Sequence, residues 1–137
     1  MLVLPPGVRR DLESWIGAGY PDETCGLLIG RSDRGRIEAA RAARAKNLNR
    51  ERARDRYELD PADYMAAELD ARRDGLEIVG IWHSHPDHPA EPSETDRAAA
   101  WEGWSYLIAR VTARGVEHMR SWRLAGDRFV EEPVSTS

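Results

Sequence analysis

The chain has 137 residues, which suits one domain with its own core and is too short for two. Apolar residues make up 41% and charged residues 32%, a balance typical of a soluble globular protein rather than a disordered or membrane-embedded one. No apolar run approaches the roughly 20 residues that span a bilayer, and the N-terminus lacks a signal-peptide pattern. We therefore expect a cytoplasmic protein with no membrane contact, one domain over residues 1–132 and a frayed tail over 133–137.

The net charge of −4 argues against a nucleic-acid partner, but the charge is unevenly distributed. Residues 31–56 contain nine arginines and one lysine against four acids. A solvated basic face is the simpler interpretation of this stretch. The functional alternative is a docking surface for an acidic protein.

Cys25 is the only cysteine, so the chain can form neither an internal disulfide nor a cysteine-based metal cluster. It lies in the apolar run TCGLLIG, with no histidine or basic residue immediately beside it. This setting favours a small buried side chain over a reactive thiol.

The first half of the chain predicts one helix and three strands. Val8, Leu12, Trp15 and Ile16 fall at helical spacing after a Pro-Pro pair, and GAGYP ends the helix. TCGLLIGRS predicts a strand buried on both faces, and residues 36–44 predict its partner. The stretch NLNRERARDR has no apolar periodicity, which indicates an exposed, mobile loop before a short strand RYEL.

The second half predicts two helices and four strands. Asp60 as N-cap, Pro61 at the first helical position and Gly75 as terminator define a helix. LEIVGIWHSH predicts a central strand, and a helix is expected from Ser93 to about Trp104. SYLIARV, residues 116–124 and RFVEE complete the strands. Trp101 and Trp104 are expected in the core, and the order predicts an α/β or α+β fold, a sheet flanked by helices.

The segment IWHSHPDHPAEPSETD, residues 81–96, holds three histidines at the end of the central strand. Alternate residues of a strand face the same side, so His83 and His85 present their imidazoles together, while Trp82 and Ser84 face the other way. The pair lies at the carboxyl end of its strand, where sheets of this kind usually place their ligands. Two adjacent imidazoles at that position predict a metal site.

Asp96 is the third candidate ligand. Pro86, Pro89 and Pro92 stiffen the connection after the histidines, which lowers the entropy cost of bringing Asp96 back to them. Two histidines and one carboxylate suit Zn²⁺ with its fourth tetrahedral position open for water, as in catalytic sites. Zinc lowers the pKa of such a water towards about 7.

Each of these residues has a simpler alternative. Ser93 and Asp96 are spaced as a helix N-cap and its third residue, and capping alone could explain them. The histidines could be buried polar groups that each make a hydrogen bond. We place His88 on the rim of the site, although a structural metal site would need it as a fourth ligand. Spacing does not choose among the nearby acids for a proton-transfer role: Asp87, Glu91 and Glu94.

The same segment resembles the metal-binding motif of the JAMM/MPN+ metalloprotease family. That motif reads His-x-His, usually followed by Pro, with seven residues before a Ser and an Asp three positions further on. The matching positions in this sequence are His83, His85, Pro86, Ser93 and Asp96. The family also needs an upstream glutamate before an apolar strand that contains glycine, and DETCGLLIG offers Glu23.

The resemblance implies a JAMM/MPN fold, a mixed β-sheet flanked by helices and related to the cytidine deaminase architecture. It implies that His83, His85 and Asp96 bind Zn²⁺. Glu23 would act as general base and pass the proton to the leaving amine, and Ser93 would donate to the oxyanion. The implied reaction is hydrolysis of a peptide or isopeptide bond.

The chain is too compact for the insertions by which eukaryotic members bind ubiquitin, and it is more similar to small stand-alone prokaryotic members. Those act on ubiquitin-like sulfur-carrier proteins that end in Gly-Gly, which become the expected partners, with residues 31–56 as a candidate dock. Two alternatives stay open: a non-catalytic MPN scaffold, which usually lacks a motif residue, and a zinc peptidase or amidase of small peptides. The sequence does not decide between a monomer and a homodimer.

Overall fold

The computed structural model describes all residues, 1–137, as three helices and eight strands. The helices are α1 (Pro6–Gly19), α2 (Pro61–Arg73) and α3 (Glu94–Ala98). The strands are β1 (Leu2–Val3), β2 (Cys25–Asp33), β3 (Arg36–Ala45), β4 (Glu77–Pro86), β5 (Ser105–Thr112), β6 (Gly115–Ala125), β7 (Arg128–Glu132) and β8 (Val134–Ser135). None of the helices combines the length and the apolar character that a bilayer crossing requires.

All eight strands belong to one sheet, in the order β7-β6-β5-β4-β2-β3-β1-β8. The pairs β4–β5, β1–β3 and β1–β8 are parallel, and the other neighbours are antiparallel. β4 lies in the interior of the sheet between β2 and β5, and nearly all its residues are buried. The predicted mixed sheet flanked by helices, with the histidine strand at its centre, is confirmed.

Each face of the sheet is covered by one of the two longer helices. Under α1 lies a cluster of 14 buried apolar residues, and under α2 a smaller cluster of five. Leu28 belongs to the first cluster and its neighbour Leu27 to the second. This alternation is the pattern of a strand buried on both faces, as predicted for β2.

Gly26 of β2 makes room for the indole of Trp82, its partner in register on β4. A Cβ at position 26 would overlap the carbonyl oxygen of Ala43 and lie 2.5 Å from Trp82 Nε1. The indole N–H instead donates to that carbonyl at 3.0 Å, and the ring stacks on Trp15 of α1 with centroids 6.1 Å apart. This packing ties β2, β3 and β4 to the α1 face.

Helix α2 begins and ends where its capping residues predict. The Asp60 carboxylate accepts from the backbone N–H of Ala62 at 2.9 Å, and Pro61 occupies the first helical position. Gly75 follows the helix in the left-handed region, at φ +68°, which favours glycine.

Helix α3 is shorter than predicted, because it ends at Ala98 and not near Trp104. The backbone N–H of Trp101 donates to the phenol oxygen of Tyr106 at 2.6 Å rather than to the helix. The prediction that Trp101 lies in the core is wrong, since it is 69% exposed. Trp104 is half-buried beside Tyr64, with ring centroids 6.2 Å apart.

Two other predictions fail, one at the C-terminal tail and one at the segment RYEL. The tail over 133–137 does not fray throughout, because Val134 and Ser135 form β8 and pair in parallel with β1. The segment RYEL is not a strand: within it only Leu59 pairs, in an isolated bridge with Asn47. The first error misses a pairing between the two ends of the chain, and the second predicts a strand where the chain forms a single bridge.

Candidate active site

Three polar side chains converge at the carboxyl end of β4. His83 and His85 project from one face of the strand, as the alternation predicts, and Asp96 approaches them from the first turn of α3. The two imidazole Nε2 atoms are 3.1 Å apart, and each lies 3.3 Å from Asp96 Oδ2. The structure thus brings the three predicted ligands together, with His83 only 1% exposed.

The spacing of these three atoms fits a tetrahedral metal ion. Zinc bonds to nitrogen and oxygen of about 2.0–2.1 Å separate two ligands of a tetrahedron by about 3.3–3.4 Å. The observed separations are 3.1–3.3 Å. The two imidazole nitrogens and the carboxylate oxygen are therefore spaced as three ligands of a tetrahedral metal ion would be.

A hydrogen bond at Nδ1 of His85 fixes the ring with its other nitrogen, Nε2, facing the Asp96 carboxylate. Its Nδ1 lies 2.8 Å from the carbonyl oxygen of Pro89, which can only accept, so Nδ1 carries a hydrogen and, in the neutral ring, Nε2 carries the lone pair. Burial lowers the pKa of His85, but the Asp96 carboxylate and the Pro89 carbonyl outweigh it and the pKa is raised. For His83, burial lowers the pKa and favours the neutral imidazole that a metal requires.

Asp96 is held in place by a reciprocal pair of hydrogen bonds with Ser93. The backbone N–H of Ser93 donates to Asp96 Oδ2 at 2.8 Å, and the backbone N–H of Asp96 donates to Ser93 Oγ at 3.0 Å. Burial works to raise the pKa of Asp96, but the two imidazoles beside its carboxylate and the backbone N–H of Ser93 hold that pKa below its usual range. The capping role is real, and the same geometry aims the carboxylate at the histidines.

Glu23 lies beside the histidines and is 6% exposed. One of its carboxylate oxygens lies within 4.8 Å of a ring nitrogen of each histidine. Burial raises the pKa of the Glu23 carboxyl to about 8, and the negative charge of Asp96 adds to the rise. Glu23 could serve as a fourth ligand by residue type, but it lies further from the imidazoles than Asp96 does.

Ser84 links the Glu23 segment to β4 from the opposite face of the strand. Its Oγ accepts from the backbone N–H of Thr24 at 2.9 Å, and its own backbone N–H donates to the Thr24 carbonyl at 3.0 Å. The alternation of the strand predicts that Ser84 faces away from the histidines, and this is confirmed. Its role in placing Glu23 is not visible in the sequence, because it depends on a contact 60 residues away.

These side chains open into a cleft of about 660 Å³, lined mainly by residues 55–59 and 88–99, with Glu23, Ile81 and His85 also exposed to it. We call it the active-site cleft. His88 is exposed and lines the cleft, apart from the three converging atoms, as expected of a rim residue.

The other acids of the motif segment point to partners elsewhere. Asp87 accepts from the Tyr20 hydroxyl at 2.7 Å. Glu91 forms an ion pair with Arg120, and Glu94 forms one with Arg97. All three acids are exposed, whereas Glu23 is buried beside the histidines.

Cys25 is buried, as predicted, at 1% exposure. It pairs with His83 across β2 and β4, so its thiol lies on the same face of the sheet as the imidazole. Burial raises the pKa of the thiol to about 12, which keeps it protonated and unreactive at neutral pH.

Tyr57 and Asn47 also border the site, and sequence reasoning missed both. The Tyr57 ring stacks on the His83 imidazole, with centroids 4.5 Å apart and planes inclined by 25°. The Asn47 amide donates to the carbonyl oxygen of Glu23 at 3.2 Å. Both residues lie in or next to a polar loop without periodicity, where a lone aromatic residue is the only local signal.

Comparisons with known proteins identify the family of the chain. The family model described as prokaryotic homologs of the JAB domain matches residues 7–125. The desampylase of Haloferax volcanii is 38% identical over 116 residues, which cover 84% of this chain and 78% of that protein. The CysO-cysteine peptidase of Mycobacterium tuberculosis is 33% identical over 134 residues, which cover 93% of this chain and 88% of that protein.

Solved structures show the same fold. A protein of Desulfitobacterium hafniense superposes with a TM-score of 0.87 at 29% identity, over 98% of this chain and 91% of that one. A protein of Salinibacter ruber gives a TM-score of 0.74 at 38% identity, over 96% of this chain and 89% of the other. The family match spans most of the sequence and includes every residue of the site, so the chain belongs to the prokaryotic homologs of the JAB domain.

Proposed function

We propose that the protein is a zinc-dependent hydrolase that cleaves peptide or isopeptide bonds at the Gly-Gly C-terminus of ubiquitin-like sulfur-carrier proteins. The observation that carries the proposal is the convergence of His83, His85 and Asp96 on one point, with the buried carboxylate of Glu23 beside them. Related proteins named desampylase and CysO-cysteine peptidase support the hydrolase class.

In this proposal His83, His85 and Asp96 hold the zinc ion through Nε2, Nε2 and Oδ2. Zinc, when bound, supplies a Lewis acid that activates a water molecule and polarises the carbonyl oxygen of the scissile bond. The separations of the three atoms and the neutral state of His83 support this ligand set. The carboxylate of Asp96 supplies one negative charge to balance the cation.

Glu23 is the proposed general base. A carboxyl group with a pKa of about 8 holds a proton more readily at neutral pH than an ordinary glutamate does. Its ionised form would take the proton of the attacking water on a carboxylate oxygen, and the raised pKa helps the carboxyl group to keep that proton until it gives it to the nitrogen of the leaving amine. A single group that first accepts and then donates meets both needs of amide hydrolysis.

Ser93 is proposed to donate to the carbonyl oxygen as it gains negative charge. Its Oγ accepts a hydrogen bond from the backbone N–H of Asp96, so the hydroxyl hydrogen stays free to donate elsewhere. The residue lines the active-site cleft beside Asp96 and is held there by its capping role. A donor fixed before the reaction needs little reorganisation when charge develops.

The basic stretch from residue 31 to 56 contributes a proposed dock for an acidic carrier. Four of its ten cations form ion pairs: Arg36, Arg41, Lys46 and Arg52. Arg50 and Arg54 are exposed, form no side-chain hydrogen bond or ion pair, and belong to the loop whose end lines the active-site cleft. We place the dock at this loop rather than along the whole stretch.

The cytoplasmic location expected from the sequence stays a prediction.

The test is cleavage of a sulfur-carrier protein extended by one residue or by a peptide beyond its Gly-Gly end. Wild-type protein loaded with zinc should release the extension, and Glu23→Gln should lower kcat/KM by about 10²–10⁴-fold while it retains zinc. The matched control is Glu77→Gln, an exposed glutamate at the other end of the same strand as the histidines. It should cleave like the wild type.

Two results would overturn the proposal. Full activity in Glu23→Gln would show that Glu23 is not the general base. The second result is a wild-type protein that binds zinc and hydrolyses short peptides but leaves extended carriers intact. Its substrate would then be a small peptide and not a carrier protein. Zinc content, measured on each variant, separates a loss of chemistry from a loss of metal.

A further inference from the structure

The two histidines of the site are oriented in different ways. His85 is fixed by the hydrogen bond from its Nδ1 to the carbonyl of Pro89. The Nδ1 of His83 is buried and has no hydrogen-bond partner among the protein groups. Metal-binding histidines nearly always use the second ring nitrogen to fix the plane of the ring. Some other contact must therefore orient His83.

The aromatic ring of Tyr57 provides that contact. It stacks on the imidazole of His83 with centroids 4.5 Å apart and planes inclined by 25°. The neighbours of His83 in the sheet are Cys25 on β2 and Ile108 on β5, so the imidazole is bounded along the sheet as well. A flat ring held against another flat ring cannot tilt without losing the stacking contact.

The loop that carries Tyr57 is itself held by one side chain. The Asn47 amide donates to the carbonyl oxygens of Glu23 and Arg56, at 3.2 and 3.0 Å. Its oxygen accepts from the backbone N–H groups of Asn49 and Glu58, at 3.0 and 2.9 Å. These four bonds use the whole capacity of an amide, and they fix the backbone on both sides of position 57.

We propose that Tyr57 is a positioning residue for the metal site: its ring holds the His83 imidazole with Nε2 directed at Asp96 and His85. Stacking replaces the hydrogen bond that orients the second histidine. The inference rests on the proposed zinc site, and it assigns to the loop a task beyond lining the active-site cleft. The hydroxyl of Tyr57 takes no part, so the ring face alone is required.

The test is binding of zinc and of cobalt to three forms of the full-length protein. Tyr57→Phe keeps the ring face and should match the wild type in zinc affinity and in the visible spectrum of the cobalt form. Tyr57→Leu removes the flat surface, and we expect zinc affinity to fall about 10-fold, within the range seen when a supporting contact of a ligand is lost. The cobalt spectrum should shift, because the geometry around the ion changes.

Leu48→Ala is the matched control, since Leu48 lies in the same loop and is 43% exposed. It should change neither the zinc affinity nor the cobalt spectrum. Asn47→Asp is a second variant that tests the positioning role even if Tyr57→Leu does not fold. It removes the two amide donors, loosens the loop around Tyr57, and should shift the cobalt spectrum in the same direction.

Unchanged zinc affinity and an unchanged cobalt spectrum in Tyr57→Leu would overturn the positioning role. A Tyr57→Phe protein that loses as much affinity as Tyr57→Leu would also overturn it, because the hydroxyl and not the ring face would then matter. Neither result touches the proposed function. Failure of the wild type to bind zinc contradicts the proposed function itself, so the two failures are distinguishable.

Discussion

The two faces of the central sheet are filled in different ways. The α1 face buries 14 apolar residues in one cluster, which includes the largest buried side chain, Trp82. The α2 face buries five, and its packing gives way to the active-site cleft and to three polar groups in contact at the end of β4. Apolar burial is the main favourable term in folding, so stability should depend on the α1 face and chemistry on the other.

The largest expected effect on stability is that of Trp82→Ala. The substitution leaves a cavity between β4 and α1 and deprives the Ala43 carbonyl of the indole N–H. We expect the free energy of unfolding to fall by about 3–5 kcal/mol, measured by chemical denaturation. The matched change on the α2 side is Leu69→Ala, at a side chain that is 54% exposed, and it should stay within about 0.5 kcal/mol of the wild type. Equal losses in the two variants would contradict the comparison.

Gly26→Ala should have the next largest effect. The added methyl group meets the Ala43 carbonyl and the Trp82 ring, so the strands must move apart, at a cost of about 1–3 kcal/mol. Gly17→Ala is the control, because Gly17 lies in α1 with no atom within 4 Å of the added carbon. It should stabilise the protein by about 0.5–1 kcal/mol through helix propensity. Thermal denaturation of the two variants should therefore move in opposite directions.

The smallest expected effect concerns Cys25 on the α2 face. Its folded pKa is raised to about 12 by burial, whereas an unfolded thiol titrates near about 8.5. Ionisation therefore favours the unfolded chain, and the stability contributed by the buried thiol is present below about pH 8.5 and is lost as the pH rises towards 12. At pH 9.5 the loss should be about 1.4 kcal/mol. Cys25→Ala should lack this component, and an identical pH dependence in both proteins would contradict the burial of the thiol.

The sequence predicts those parts of the fold whose signals are local. Asp60, Pro61 and Gly75 define α2 because capping and backbone preference act within a few residues. The alternation of β4 places His83 and His85 on one face for the same reason. The family motif adds Glu23, which no spacing rule would select from the acids of the chain.

The parts that failed depend on contacts between distant segments. Helix α3 stops early because the Trp101 N–H donates to Tyr106 of the next strand, which the helical pattern of the segment does not reveal. The tail pairs with β1 at the opposite end of the chain. Tyr57 borders the metal site through a stacking contact with a histidine 26 positions later, from a loop without periodicity.

The central claim is that zinc binds among His83, His85 and Asp96, and that Glu23 stays outside the ligand set. Anomalous X-ray diffraction at the zinc absorption edge, on crystals of the zinc-loaded protein, tests it most directly. We expect one peak at about 2.0–2.2 Å from both Nε2 atoms and from one Asp96 oxygen, with the Glu23 carboxylate beyond bonding distance. A peak coordinated by Glu23 in place of Asp96, or no peak between the histidines, would contradict the claim.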